Sequence, residues 1–214
     1  MKVIDRYEYR TVAKEAHEEI VEKKSRFIAH VKPVDNEEDA LSFINEVKSK
    51  YWDATHNVYA YVIGNNNIQR YSDDGEPSGT AGIPVLEIIK KEDLQDVVVV
   101  VTRYFGGILL GAGGLVRTYG KSAKEGIHKA GIVVMRLCDI VNITVNYTLL
   151  GKIQNEISNA GYIISSTVYE EDVTLSVCVP ITETNFFIDN MINITNNRVS
   201  IKKKEQRYIK INAT

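Results

Sequence analysis

Apolar positions along this chain change their period several times, and each change marks an element. Residues 17–34 read as two short strands around Lys23-Lys24-Ser25-Arg26. Asp35-Asn36-Glu37-Glu38 then offers an N-cap with acids for a first helical turn. Ala40, Leu41, Phe43, Ile44 and Val47 recur at helical spacing up to Tyr51, which predicts one apolar stripe and a solvated face. Residues 55–63 are rich in β-formers and predict a strand ended by Gly64-Asn65-Asn66-Asn67, with residues 68–71 turning back as its hairpin partner. The aperiodic stretch 72–82 predicts an exposed loop, and Pro84, Val85, Leu86, Ile88 and Ile89 a short helix. The β-branched run 96–104 predicts a central strand covered on both faces and the core of a first domain. A glycine-dense segment follows, and Leu115, Tyr119, Ala123 and Ile127 then line a helix face that stops at Gly131.

The remainder predicts a strand (132–145), a helix (149–160) stopped by Gly161, and strands 162–169 and 173–179 joined at Glu170-Glu171-Asp172. A helix (182–194) opened by Thr182 with Asn185 and a last strand (198–211) complete it. This βαββαβ order is the ferredoxin-like plan. Length supports two cores, so the expected division is 1–135 and 136–214, an α+β chain of two domains with almost no linker.

Charged residues make up 25% and hydrophobic residues 44% of the chain, which excludes disorder as its general state. No apolar window reaches the roughly 18 residues of a membrane span, and the start carries no signal-like run, so a cytoplasmic protein is expected. Cys138 and Cys178 fall in apolar, strand-like stretches and read as buried thiols. The net charge of −2 gives no global field for nucleic acid, so any such binding requires a local patch.

Three constellations bear on chemistry. His56 with Asp73, Asp74 and Glu76 would make a metal-assisted hydrolase site if the side chains converged, although Asp-Asp-Gly-Glu-Pro also suits an ordinary tight turn. Gly106, Gly107, Gly111, Gly113 and Gly114 sit between a buried strand and a helix, with Arg103 before them and Arg117 and Lys121 after them. Such glycines admit a phosphate backbone or permit tight strand-to-helix packing. Dinucleotide and P-loop spacings both fail, and Gly120-Lys121-Ser122 falls inside the expected helix. Lys202-Lys203-Lys204-Glu205-Gln206-Arg207 reads as a charged edge strand or an RNA contact. Tyr59, Tyr61, Tyr71 and Tyr104 would stack bases if exposed and otherwise belong to the core. His17, His30 and His128 read as surface or packing residues.

Lys24-Ser25-Arg26-Phe27-Ile28, His56-Asn57-Val58-Tyr59-Ala60-Tyr61, the run from Ser72 to Pro84, Val101-Thr102-Arg103-Tyr104-Phe105-Gly106-Gly107 and Leu110 to Arg117 together resemble the IMPACT/YigZ family, over roughly residues 15 to 130. The second part resembles the small C-terminal domain of its bacterial members. The resemblance implies a first domain with the α/β fold shared by a small-subunit ribosomal protein and elongation factor G, and a second like that factor's ferredoxin-like last domain. It also implies a shared binding surface of His56, Asp73, Asp74, Glu76, Ser78, Thr80, Arg103 and Arg117. Eukaryotic relatives regulate translation through a partner that also controls a stress kinase, and their N-terminal partner-binding domain has no counterpart here, so that role is not expected to transfer directly. Some members carry a dipeptidase label whose residues are not found here. The expectation is an RNA- or ribosome-binding, translation-associated regulatory protein, or one that binds a translation-related protein, with no DNA specificity, membrane contact, cofactor, metal or catalytic residue assigned. The alternatives are a small metal-dependent hydrolase and a protein-interaction module.

Overall fold

A computed structural model of the 214-residue chain describes residues 6–64 and 67–212. The outer ends of the two expected domains, and Asn65 and Asn66 of the expected turn, lie outside the described residues. Two compact units emerge, one built on Tyr9–Val134 and the other on Met135–Ile211 with Arg6–Glu8.

The first unit runs β1 (Glu8–Val12), β2 (Ala16–Glu22), β3 (Ser25–Pro33), α1 (Glu37–Lys50), β4 (His56–Ile63), β5 (Ile68–Ser72), α2 (Gly82–Lys91), β6 (Val97–Tyr104) and α3 (Ala112–Ala130). Its sheet has the order β2-β3-β6-β4-β5, with antiparallel pairing throughout. The central strand is β6, and Val97, Val98, Val99, Val100 and Val101 are all fully buried. Val98 and Val100 pack under α1 with Phe43, Ile44 and Val47, whereas Val97, Val99 and Val101 pack with α2 and α3 residues such as Val85, Ile89, Tyr119 and Ile127. Each such side chain contributes about 1.5–3 kcal/mol of transfer free energy, so helices on both faces stabilise the valine run of this strand. α1 starts where Asn36 Oδ1 accepts the Asp39 amide at 2.9 Å. α3 approaches β3 so closely that a Cβ at Gly126 would stand 2.7 Å from the Ala29 Cβ.

The second unit contains β7 (Ile132–Val145), α4 (Tyr147–Asn159), β8 (Ile163–Tyr169), β9 (Val173–Pro180), α5 (Thr184–Ile194) and β10 (Ser200–Asn212). The order β7-β9-β8 with β10 also on β7 is the ferredoxin-like arrangement, and β9 runs antiparallel to both neighbours. Ile153 and Ile157 of α4 and Phe187 and Met191 of α5 bury one face against Val141, Ile143, Leu175 and Val177. Cys138 and Cys178 are free thiols packed with Ile140, and burial pushes Cys138 up to about 11. Among the described residues no helix is long and apolar enough to cross a membrane.

Two expectations need correction. β1 was not anticipated, because Glu-Tyr-Arg-Thr-Val lacks alternation and its pairing is long-range, including a parallel bridge from Arg10 to Leu94. α5 begins at Thr184 rather than at Thr182, with no side-chain cap. The buried Thr184 hydroxyl donates instead to Asp139 Oδ2 at 2.6 Å.

His30 lies on the α1 face of β3, its ring 4.8 Å from that of Tyr51, and its Nε2 is buried without a partner among the described residues. Burial first, and then the charges of His17 and Lys50, lower its pKa to about 4, against a slight opposing pull from Glu15. The unfolded imidazole binds a proton below about 6.5, whereas the folded one stays neutral down to about 4. Stability from neutral His30 is therefore complete above about 6.5 and is lost as pH falls towards 4, by about 3 kcal/mol at most. Urea denaturation at pH 7 and pH 5 should show a steeper loss for wild type than for His30→Leu; equal losses would contradict this assignment.

Candidate functional site

Strand register builds the site. Arg103 on β6 stands opposite Phe27 on β3 and His56 on β4, so three sheet neighbours form one transverse row. The loop between β5 and α2 closes over this row and inserts Glu76. One Glu76 oxygen, Oε1, accepts from Arg103 Nη1 at 2.5 Å and from the Tyr119 hydroxyl of α3 at 2.7 Å. Both charged side chains are sealed from solvent, with 7% of Arg103 and 3% of Glu76 exposed. Burial, and then the Glu76 carboxylate, raise the Tyr119 phenol far above its ordinary range, which keeps it a proton donor. The Arg103 guanidinium also packs over the rings of Phe27 at 5.4 Å and Phe105 at 5.5 Å. Phe27 meets Tyr119 edge-on at 5.2 Å.

The neighbouring carboxylates hold the same loop. Asp73 accepts backbone amides from Gly79 at 2.8 Å, Ala81 at 3.1 Å and Gly82 at 2.8 Å, which supplies the start of α2 with the cap that Ala81 lacks. Asp74 accepts from Lys48 Nζ at 2.6 Å and from the Asn57 amide at 2.7 Å. His56 Nδ1 meets the Asp74 carbonyl at 2.7 Å; because a carbonyl only accepts, this nitrogen carries the proton, leaving Nε2 3.9 Å from Glu76. Thr80 is buried and donates to the Pro77 carbonyl at 2.6 Å.

Asp73, Asp74, Glu76, Thr80 and Arg103 were expected to face a partner; Glu76, Thr80 and Arg103 are instead buried, the half-buried Asp73 and Asp74 bond backbone amides and Lys48, and Arg103 Nε is buried without a partner among the described residues. The physical reason is that each carboxylate already receives its donors from inside the unit. Among the described residues no three His, Cys, Asp or Glu side chains converge to hold an ion. His56 is largely covered, and Ser78 is exposed beside this internal network.

The other loop faces outward. Gly107, Gly111, Gly113 and Arg117 are exposed, as are Phe105, Ile108 and Leu109, the last at 82%. Gly106 is needed for close approach, since a Cβ there would lie 2.1 Å from the Lys24 carbonyl. Gly114, Arg117, Thr118 and Lys121 line an open hollow of about 260 Å³ with Glu22 and Lys23 of the β2–β3 turn. Lys23, Arg117 and Lys121 form no ion pair among the described residues, and Gly120-Lys121-Ser122 lies in mid-helix. The contribution of Lys23 was not apparent from sequence, because the turn is distant from α3 along the chain.

Tyr61 is buried and donates to Glu37 at 2.6 Å, Tyr59 stacks on it, and Tyr71 is exposed. Tyr104 is half-buried and donates to Asp53 at 2.8 Å. In β10, Lys203 pairs with the buried Asp139 at 2.9 Å, and Arg207 pairs with Glu205.

Glu76→Gln keeps the shape of this network but leaves Arg103 a buried cation without a counter-charge, at a cost of about 3–5 kcal/mol. Calorimetry should find a much lower melting temperature, and adding Arg103→Met should recover part of the loss. An unchanged melting temperature for Glu76→Gln would mean that the pair is solvated.

Residues 23–127 match the Impact N-terminal domain, and residues 143–198 match a domain of unknown function (DUF1949). The IMPACT family member YvyE of Bacillus subtilis is 48% identical over 204 residues, covering 95% of this chain and 94% of that protein. The IMPACT family member YigZ of Escherichia coli is 37% identical over 150 residues, covering 65% and 74%. The protein IMPACT homolog of Dictyostelium discoideum is 41% identical over 97 residues, which is 43% of this chain and 28% of its own length. A crystal structure of a hypothetical protein superposes with a TM-score of 0.61 at 28% identity, over 94% of this chain and 98% of that one. With both domains matched in chain order and a relative similar along almost its whole length, this chain belongs to the IMPACT family.

Proposed function

We propose that this protein binds single-stranded RNA, free or within the ribosome, as a translation-associated regulator. The observation that carries the reading is the set of unpaired cations, Lys23, Arg117 and Lys121, around the hollow at the start of α3. In a chain of net charge −2, three such cations around a hollow whose one acid is Glu22 are the local patch that phosphate contact requires. The loop entering α3 adds exposed Phe105, whose ring is backed from inside by the Arg103 guanidinium. A ring fixed from behind and open in front suits base stacking, which tolerates any sequence. A role in translation agrees with what the family resemblance implies for the eukaryotic relatives.

Exposed Ile108 and Leu109 favour a second reading, a protein-interaction surface on the same loop. The readings differ in their salt dependence. For a labelled oligoribonucleotide, fluorescence anisotropy should give an affinity that falls steeply with salt. Arg117→Gln with Lys121→Gln should reduce the logarithmic slope by about 1.4 and weaken binding roughly tenfold at low salt. If affinity and slope stay at wild-type values, the RNA reading is wrong and the protein-interaction reading takes its place.

A further inference from the structure

The β2–β3 hairpin closes at the pair Glu22 and Ser25, so Lys23 and Lys24 alone form its turn. Both have positive φ, 44° and 66°. A two-residue hairpin of this kind demands left-handed backbone at both central positions, and Asn-Gly is preferred there because a longer L side chain is strained. Two consecutive lysines are a poor choice for folding. They are held in place from the neighbouring loop, where the Gly106 amide donates to Ser25 Oγ at 3.1 Å and the absence of a Gly106 side chain admits the Lys24 carbonyl. Both lysines are exposed, neither has an ion-pair partner among the described residues, and Lys23 lines the hollow with Arg117 and Lys121.

Backbone strain that surrounding structure maintains is a mark of a working position. We propose that the Lys23-Lys24 turn is a phosphate-contacting element, kept strained because it carries two ammonium groups to the RNA backbone beside Arg117 and Lys121. This inference rests on the RNA reading above and adds to it the turn and the group it meets, a backbone phosphodiester. A turn optimised for folding would lose the function, so stability and binding should move in opposite directions.

The test is the double variant Lys23→Asn with Lys24→Gly in the full chain, with Lys91→Asn as a charge-removal control on an exposed part of α2. The double variant should melt about 2–4 °C above wild type, because the turn is relieved. It should bind the oligoribonucleotide roughly tenfold more weakly at low salt, with a slope reduced by up to about 1.4, while the control leaves the affinity within about twofold. A higher melting temperature with unchanged RNA affinity would overturn the inference, and Arg117→Gln with Lys121→Gln would then show separately whether the RNA reading stands. A lower melting temperature would overturn it as well, since the turn would not be strained. Inorganic phosphate serves as a competitor: weak displacement at millimolar concentration supports the polymer as ligand. Tight binding of phosphate without RNA binding would contradict the inference.

Discussion

The ion pair between Glu76 and Arg103 is the constraint around which the first unit is organised. Neither charge can remain in an apolar interior alone, so the chain must bring a loop residue, a central-strand residue and the Tyr119 hydroxyl of α3 to one point. That requirement fixes the register that sets Phe27, Arg103 and His56 in a row. It fixes the height of α3 above the sheet and the path of the loop that ends at α2. Asp73 and Asp74 extend the same logic, spending their oxygens on the α2 amides, Lys48 and Asn57.

This inward use of acids has an outward consequence. With Glu76 buried and Asp73 and Asp74 bonded within the unit, the hollow at the glycine loop and the β2–β3 turn carries Lys23, Arg117 and Lys121 against the single acid Glu22, and the three cations form no ion pair among the described residues. A protein of mild overall acidity can thereby present a basic spot. The Arg103 guanidinium links the two sides, since it ends the acidic network and also supports Phe105 at the surface. Damage to the internal network should therefore be felt at the exposed face through displacement of that ring.

Most of the architecture was legible in the sequence because hydrophobic period is a local signal. The uncharged run at 97–101 could only be a covered strand, and α1 announced itself through Asn36 and its acidic first turn. The βαββαβ order of the second unit followed from period and turn residues alone. β1 escaped because its five residues carry no pattern and pair with residues far along the chain, Arg10 with Leu94 among them. In the site, the glycine loop and Arg117 could be singled out locally. The direction of Asp73, Asp74, Glu76 and Arg103 could not, since a dense motif looks the same whether its charges meet a partner or each other. Only the long-range contact with Tyr119, 43 positions from Glu76, decides between them. The left-handed geometry of Lys23 and Lys24 was equally hidden, as lysine is an unusual residue there.

The claim that acids face in and cations face out is tested most directly by ultraviolet cross-linking of the protein to a photoreactive oligoribonucleotide, with the modified peptides mapped by mass spectrometry. The account predicts cross-links within residues 22–26 and 105–121 and none within 73–80. Cross-links concentrated on the 73–80 loop would contradict it.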